Sequence, residues 1–221
     1  MRRVAVVTML VNLALGLLQP AAHAAVQCPP NPPSGSTVNG NLTVTAGQLC
    51  TLDNVTVTGS VTVSPGAELV MTGAHVLGNV TATRAAAVYA STSAANATRV
   101  DGNLSLDAVD RASVCDIVIG GNLLAQNYPA TPAAPELAPL PACPMPAGGF
   151  VPSTVMSLVF VNNHRFLQYS GATIRGNVQL MGNTAGGSVD NSSIAGSAQC
   201  SNSPAFGFSN NTVQGHSTCP G

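Results

Sequence analysis

Val57-Thr58-Gly59-Ser60-Val61-Thr62-Val63 is followed nineteen residues later by Val76-Leu77-Gly78-Asn79-Val80-Thr81-Ala82. The shared core, [Val/Ile]-x-Gly-[Asn/Ser/His], also stands at Val38-Asn39-Gly40-Asn41, Val100-Asp101-Gly102-Asn103 and Ile119-Gly120-Gly121-Asn122. It returns at Ile174-Arg175-Gly176-Asn177, Ile194-Ala195-Gly196-Ser197 and Val213-Gln214-Gly215-His216. Short alternating runs at a fixed period near twenty residues are the signature of stacked β-coils, in which each repeat buries its apolar side only against its neighbours.

Counting from the motif Gly, apolar residues recur two before it, two after it and four after it. The last two columns hold Val61 and Val63, Val80 and Ala82, Leu104 and Leu106, Val178 and Leu180. Polar residues lie between them, the period-two pattern of a half-buried strand. The predicted inward set is Val57, Val61, Val63, Val76, Val80, Leu104, Leu106, Val178 and Leu180. The residue after each Gly is Asn, Ser or His, and like residues stacked coil upon coil can share ladder hydrogen bonds. Gly, lacking Cβ, lets the chain bend or approach its neighbour closely.

The same register places a degenerate ninth coil at Val155-Met156-Ser157-Leu158-Val159-Phe160-Val161, with Ser157 in the Gly position. Met156, Leu158 and Phe160 then point outward and, with Leu124 and Met181, make an apolar patch that should not face water. The expected cover is the proline-rich insertion from Asn127 to Pro152, whose proline density prevents regular pairing. A smaller Ala/Ser-rich insertion, Ala85 to Thr98, is expected to form a loop or a short helix. Coils are predicted to begin near residues 38, 57, 76, 100, 119, 155, 174, 194 and 213. At about 4.8 Å per coil they make a rod roughly 40 Å long.

The chain of 221 residues opens Met1-Arg2-Arg3, continues apolar from Val4 to Leu18, and reaches Ala22-His23-Ala24. That order reads as a secretory signal peptide over residues 1–24. The apolar run is too short for a membrane anchor, and Cys28 lacks a lipoprotein lead-in. Residues 25–37 are expected to form an N-terminal cap segment and 38–221 the solenoid domain, with inserted loop 127–152. The predicted location is secreted, periplasmic or cell-surface. There is no Lys, and past residue 24 five Arg face eight acidic residues, a net charge of −3. That disfavours nucleic acid, which demands clustered cations.

Six Cys, all after the proposed cleavage site, read as three disulfides in an exported chain. A zinc site is the competing reading, but no C-x2-C pair occurs. Cys200 and Cys219 both stand four after a motif Gly, so they should be adjacent-coil neighbours about 4.8 Å apart, within reach of a disulfide. Cys28 and Cys50, at the other end, should tie the N-terminal segment to the first coil. Cys115 and Cys143 remain, a pairing that would tether the insertion.

The Val-x-Gly-Asn-Val/Leu coil, over residues 38 to 219, resembles the right-handed parallel β-helix proteins: bactofilins and the pectin-lyase-like and autotransporter-passenger solenoids. Bactofilins normally lack a signal peptide, which sets this chain apart from them. Resemblance to the pectate-lyase-like solenoids implies a carboxylate cluster for calcium and an Arg or Lys base. No two carboxylates share a column in adjacent coils. Asp107 and Asp110, flanking a bend, are the nearest calcium pair, and solvated turn residues are the plainer reading. His75, His164 and His216 sit on different coils without an evident catalytic partner, and no cofactor motif is present.

One array has a binding logic: Thr43/Thr45, Thr62/Ser64 and Thr81/Thr83, continued by Ser105/Asp107. It resembles the ice-binding face of antifreeze solenoids, although Thr is also a good outward strand residue. The leading expectation is an exported, non-enzymatic β-helix acting as a structural or adhesive surface module. Its expected partner is a polysaccharide or another surface component. A carbohydrate-binding or carbohydrate-active β-helix and an ice-binding protein are the alternatives; the absence of Trp and the scarcity of Tyr disfavour an aromatic-lined sugar groove.

Overall fold

The computed structural model describes residues 25–130, 154–164, 167–185 and 187–219. Within them the chain is an all-β, right-handed parallel solenoid with no helix. A full turn supplies three short strands, one on each of three faces. The leading face ends at the motif Val or Ile and stacks nine strands in order, from Thr37–Val38 through His75–Val76, Thr98–Val100 and Ile117–Ile119 to Thr212–Val213. Eight turns therefore separate its first strand from its last. The middle face follows the motif and also holds nine strands, starting with Val26–Cys28 and Leu42–Val44 and ending with Ala198–Ser201.

The closing face was not foreseen as a separate strand of the repeat. It comprises four strands (Leu49–Asp53, Glu68–Thr72, Ala87–Ser91, Arg111–Val114) and then three (Leu167–Ser170, Gly187–Asp190, Phe206–Ser209). Ala87–Ser91 corrects the loop-or-helix expectation for residues 85–98: it pairs residue for residue with Glu68–Thr72. Thr72 lies nineteen residues before its partner Ser91, whereas His75 lies twenty-four before its partner Arg99. The five extra residues therefore lie in the short excursion between Ser91 and Arg99, while the strand keeps the repeat.

Every member of the predicted inward set is buried, and the registers stack like on like: Val57 with Val76, Val61 with Val80, Val178 with Ala198. The motif Gly has a specific cause. The amide of Gly59 donates to the carbonyl of Gly40, Gly78 to Gly59, Gly102 to Gly78 and Gly121 to Gly102, at 2.9–3.1 Å. A Cβ on Gly59, Gly78, Gly102, Gly196 or Gly215 would lie 2.6–2.8 Å from the carbonyl oxygen one coil below. The Asn or Ser side chain of that lower coil fills the same space. Asn41 Oδ1 accepts from the amide of Ser60 at 2.8 Å, Ser60 Oγ from Asn79 at 3.1 Å, Asn79 Oδ1 from Asn103 and Asn103 Oδ1 from Asn122, both at 2.8 Å. The expected ladder therefore runs from side chain to the next backbone amide and satisfies a donor at each corner.

The degenerate coil requires a correction. Ser157 pairs with Asn122, Leu158 with Leu123 and Phe160 with Ala125, and Leu158 and Phe160 are buried in the core. The coil has lost one residue at the corner. Ser157 takes the Asn position, its Oγ accepting from the Asn177 amide at 3.3 Å. The carbonyl of Met156 replaces that of the motif Gly and accepts from Gly176 at 2.6 Å. Because side-chain direction alternates along a strand, that single deletion exchanges inside and outside. The outward apolar residues are Met156, Leu124, Val159, Val161 and Met181, of which Met156 and Met181 are exposed.

Two disulfides fasten the ends. Cys28 joins Cys50 with Cα atoms 5.7 Å apart, and Cys200 joins Cys219 at 4.8 Å. At the N-terminal end Val26–Cys28 pairs with Leu42–Val44. The Pro29–Pro33 stretch runs beside the first closing strand, where Asn31 Oδ1 accepts from the Thr51 amide at 3.0 Å and Gly35 donates to the Asp53 carbonyl at 3.2 Å. The signal-peptide reading of residues 1–24, the covering role of the insertion beyond Ala130 and the partnership of Cys115 with Cys143 fall outside the described residues.

Candidate functional site

The middle face carries the Thr array. Thr43, Thr62, Thr81 and Ser105 share one column, and Thr83 pairs with Asp107 in the next. The amide of Ser64 donates to Val44 at 3.2 Å, which aligns Ser64 with Thr45. Gln27 heads the first column, paired with Thr43, and its Oε1 accepts from Thr45 Oγ1 at 3.3 Å. The array covers the first coils and then gives way to Leu124, Val159, Val161 and Met181 on the same face.

The calcium candidates stand on either side of the corner at Ala108. Asp107 ends a middle-face strand and its Oδ1 accepts from Asn127 Nδ2 at 2.7 Å; Asp110, beyond the corner at Ala108, is buried. Among the described residues, no group of three or more His, Cys, Asp or Glu is placed to hold a metal ion. Glu68 is fully buried on the closing face, its Oε1 accepting from Arg111 Nη2 at 3.5 Å, two coils away.

The titratable residues that do come together are His75, Arg99 and Asp101, on the leading face. His75 pairs in register with Arg99, and Asp101 lies two residues further along the same strand direction. Asp101 Oδ2 meets His75 Nε2 at 3.0 Å, and its Oδ1 accepts from Arg99 Nε. Partial burial pushes the Asp101 carboxyl upward, but the hydrogen bonds and positive charge of Arg99 and His75 outweigh it and hold the group below its ordinary 3.8. The motif alignment of Val76 with Val100 places His75 beside Arg99, but sequence reading left His75 without a partner because Asp101 stands in a different column, twenty-six residues away.

A second polar network went unread. Asn163 and Asn183 are fully buried. Asn163 Nδ2 donates to Asn183 Oδ1 at 2.9 Å and to the Ala125 carbonyl at 3.0 Å, and Asn183 Nδ2 donates to the Phe160 carbonyl at 3.0 Å. The amide of Asn183 donates to Ser203 Oγ at 3.1 Å. Its signal was present as Asn163, Asn183 and Ser203, each twenty residues apart and each following Asn or Gly. The ladder satisfies interior backbone groups at a corner, a structural role. His164, beside it, has Nδ1 2.8 Å from Thr184 Oγ1.

All described aromatic side chains are interior: Tyr89, Tyr128, Phe160, Tyr169, Phe206 and Phe208 are 7 % exposed or less. Phe160 packs edge-on against Tyr169 and tilted against Phe206, with centroids 6.4 and 6.1 Å away. The described surface therefore offers no ring on which a sugar could stack. No family model, curated protein or solved structure matches the chain.

Proposed function

We propose that this protein is an exported, non-enzymatic structural or adhesive module. The observation that carries the reading is the use made of its corner polar side chains. Column after column of Asn and Ser is committed to bonding the next coil's backbone. The product is a stack of coils presenting three strand faces. The two disulfides fit assembly in an oxidising compartment, and the low charge suits a surface that meets neutral or weakly charged material.

Two measurements test it. N-terminal sequencing of protein recovered outside the cytoplasm is expected to begin at Ala25; a reduced, cytoplasmic product would sink the export half. The mature chain on a glycan array and against a polysaccharide panel is expected to bind without releasing product, and any turnover defeats the non-enzymatic half. A second reading, ice binding, has the in-register Thr43, Thr62 and Thr81 column in its favour. Thermal hysteresis abolished by Thr62→Leu would favour it, and none at millimolar protein would remove it.

A further inference from the structure

We propose that His75, Asp101 and Arg99 form a docking site for the carboxylate of an acidic glycan. This inference rests on the adhesive reading above and names its ligand class. Charge is rare in the chain, at 7 % of residues, yet three titratable side chains converge here from two successive coils. The carboxylate of Asp101 holds one nitrogen of each neighbour, Nε of Arg99 and Nε2 of His75. Arg99 meets Asp101 through Nε, and its guanidinium also carries Nη1 and Nη2 on a side chain that is 53 % exposed. A guanidinium fork matches a carboxylate in a bidentate manner, the geometry for which Arg is preferred over Lys. Asp101 is a positioning residue: it orders Arg99 and His75 before a ligand arrives, which lowers the ordering cost of binding.

The surroundings favour a glycan over a peptide. His75 and Arg99 stand in a single column of the leading face whose other members include Thr37, Thr56, Thr154, Thr173 and Thr212. Hydroxyls lead up to the site at Thr37 and Thr56 and, beyond Val118, resume from Thr154 to Thr212, with successive coils about 4.8 Å apart; they suit the hydroxyl-rich edge of a sugar chain laid along the axis. The two strands that carry the site, His75–Val76 and Thr98–Val100, are interior to their sheet and offer no free backbone edge to an extended peptide. Leu77, 43 % exposed and two residues from His75, adds apolar contact for the ring carbons.

The test uses the mature, oxidised chain and three probes in a surface-binding assay: oligoglucuronate, oligoglucose and polyglutamate. The glucuronate oligomer is expected to bind at least about tenfold more tightly than the neutral one, and Arg99→Gln to remove that advantage. Asp101→Asn decides between orientation and simple charge. It makes the patch more positive, so plain attraction would strengthen binding, whereas an oriented site weakens severalfold. Matching melting curves would show that both variants fold. Stronger binding by Asp101→Asn, an unaffected Arg99→Gln, or polyglutamate equalling oligoglucuronate each overturns the proposal. Equal binding of both sugars also overturns it while leaving the adhesive reading standing. If neither sugar binds, the proposal falls and the adhesive reading is judged by the wider array.

Discussion

At the scale of single residues, the motif Gly is the position most intolerant of change. A methyl on Gly78 would sit 2.7 Å from the Gly59 carbonyl oxygen and against Ser60 Oγ, and the backbone on both sides is held by neighbouring coils. Gly78→Ala is expected to cost about 2–3 kcal/mol, as overpacking at a rigid site does, read from urea denaturation. Asn103→Ala should cost about 1–2 kcal/mol by leaving the Asn122 amide without its partner. Asp101 gives a pH-dependent case. Its folded carboxyl is held below 3.8, so its contribution is present above that value and is lost as pH falls through the lower, folded one. The group is partly exposed, so the effect is small, under about 1 kcal/mol. The stability difference between the native chain and Asp101→Asn should be measurable at pH 7 and shrink as pH falls below 3.8. At this scale the sequence was legible wherever one column repeats one chemistry, as with Gly59, Gly78 and Gly102. It was not legible at His75 and Asp101, whose contact is diagonal, from one column to another across adjacent coils.

At the scale of elements, the coil from Thr154 to Val161 shows how much one residue decides. Counting nineteen from Ile174 located Val155 correctly, because Val155 pairs with Ile174. The count then failed past Met156, since a deletion at a corner is invisible when both candidate registers put apolar residues on both sides. Leu158, Val159, Phe160 and Val161 are all apolar, so alternation could not arbitrate. The structure implies an asymmetric pair of insertions. One Gly between Met156 and Ser157 restores the motif length and should shift the melting temperature little. One Ala between Leu158 and Val159 turns Phe160 outward and should lower it by well over about 5 °C. The closing strands were missed for a related reason: the turn glycines before Leu49–Asp53 and Glu68–Thr72, Gly47 and Gly66, are not repeated, and Ala85 holds that place before Ala87–Ser91.

At the scale of the whole molecule, each coil leans only on its neighbours, so stability is a sum along a line and the ends set the weak points. The N-terminal end is covered by Val26–Cys28 and by prolines that have no amide to offer, a device that discourages edge-to-edge growth. At the other end the Cys200–Cys219 bond pins the last turn. Replacing both with Ser is expected to cost about 2–3 kcal/mol and to accelerate amide exchange over residues 206–219, leaving the central coils slow. Uniform acceleration along the chain would contradict the one-dimensional picture. The same bonds have a mechanical consequence. The inter-coil hydrogen bonds point along the axis, so tension on the two ends peels turns off singly. Each nineteen-residue turn released would lengthen the molecule by roughly 60 Å. The nineteen-residue spacing of Cys200 and Cys219 encloses one such turn in a covalent loop, and the pull passes from Cys219 straight to Cys200. The final turn then carries no load, and the first sawtooth in a force trace belongs to the coil beneath it.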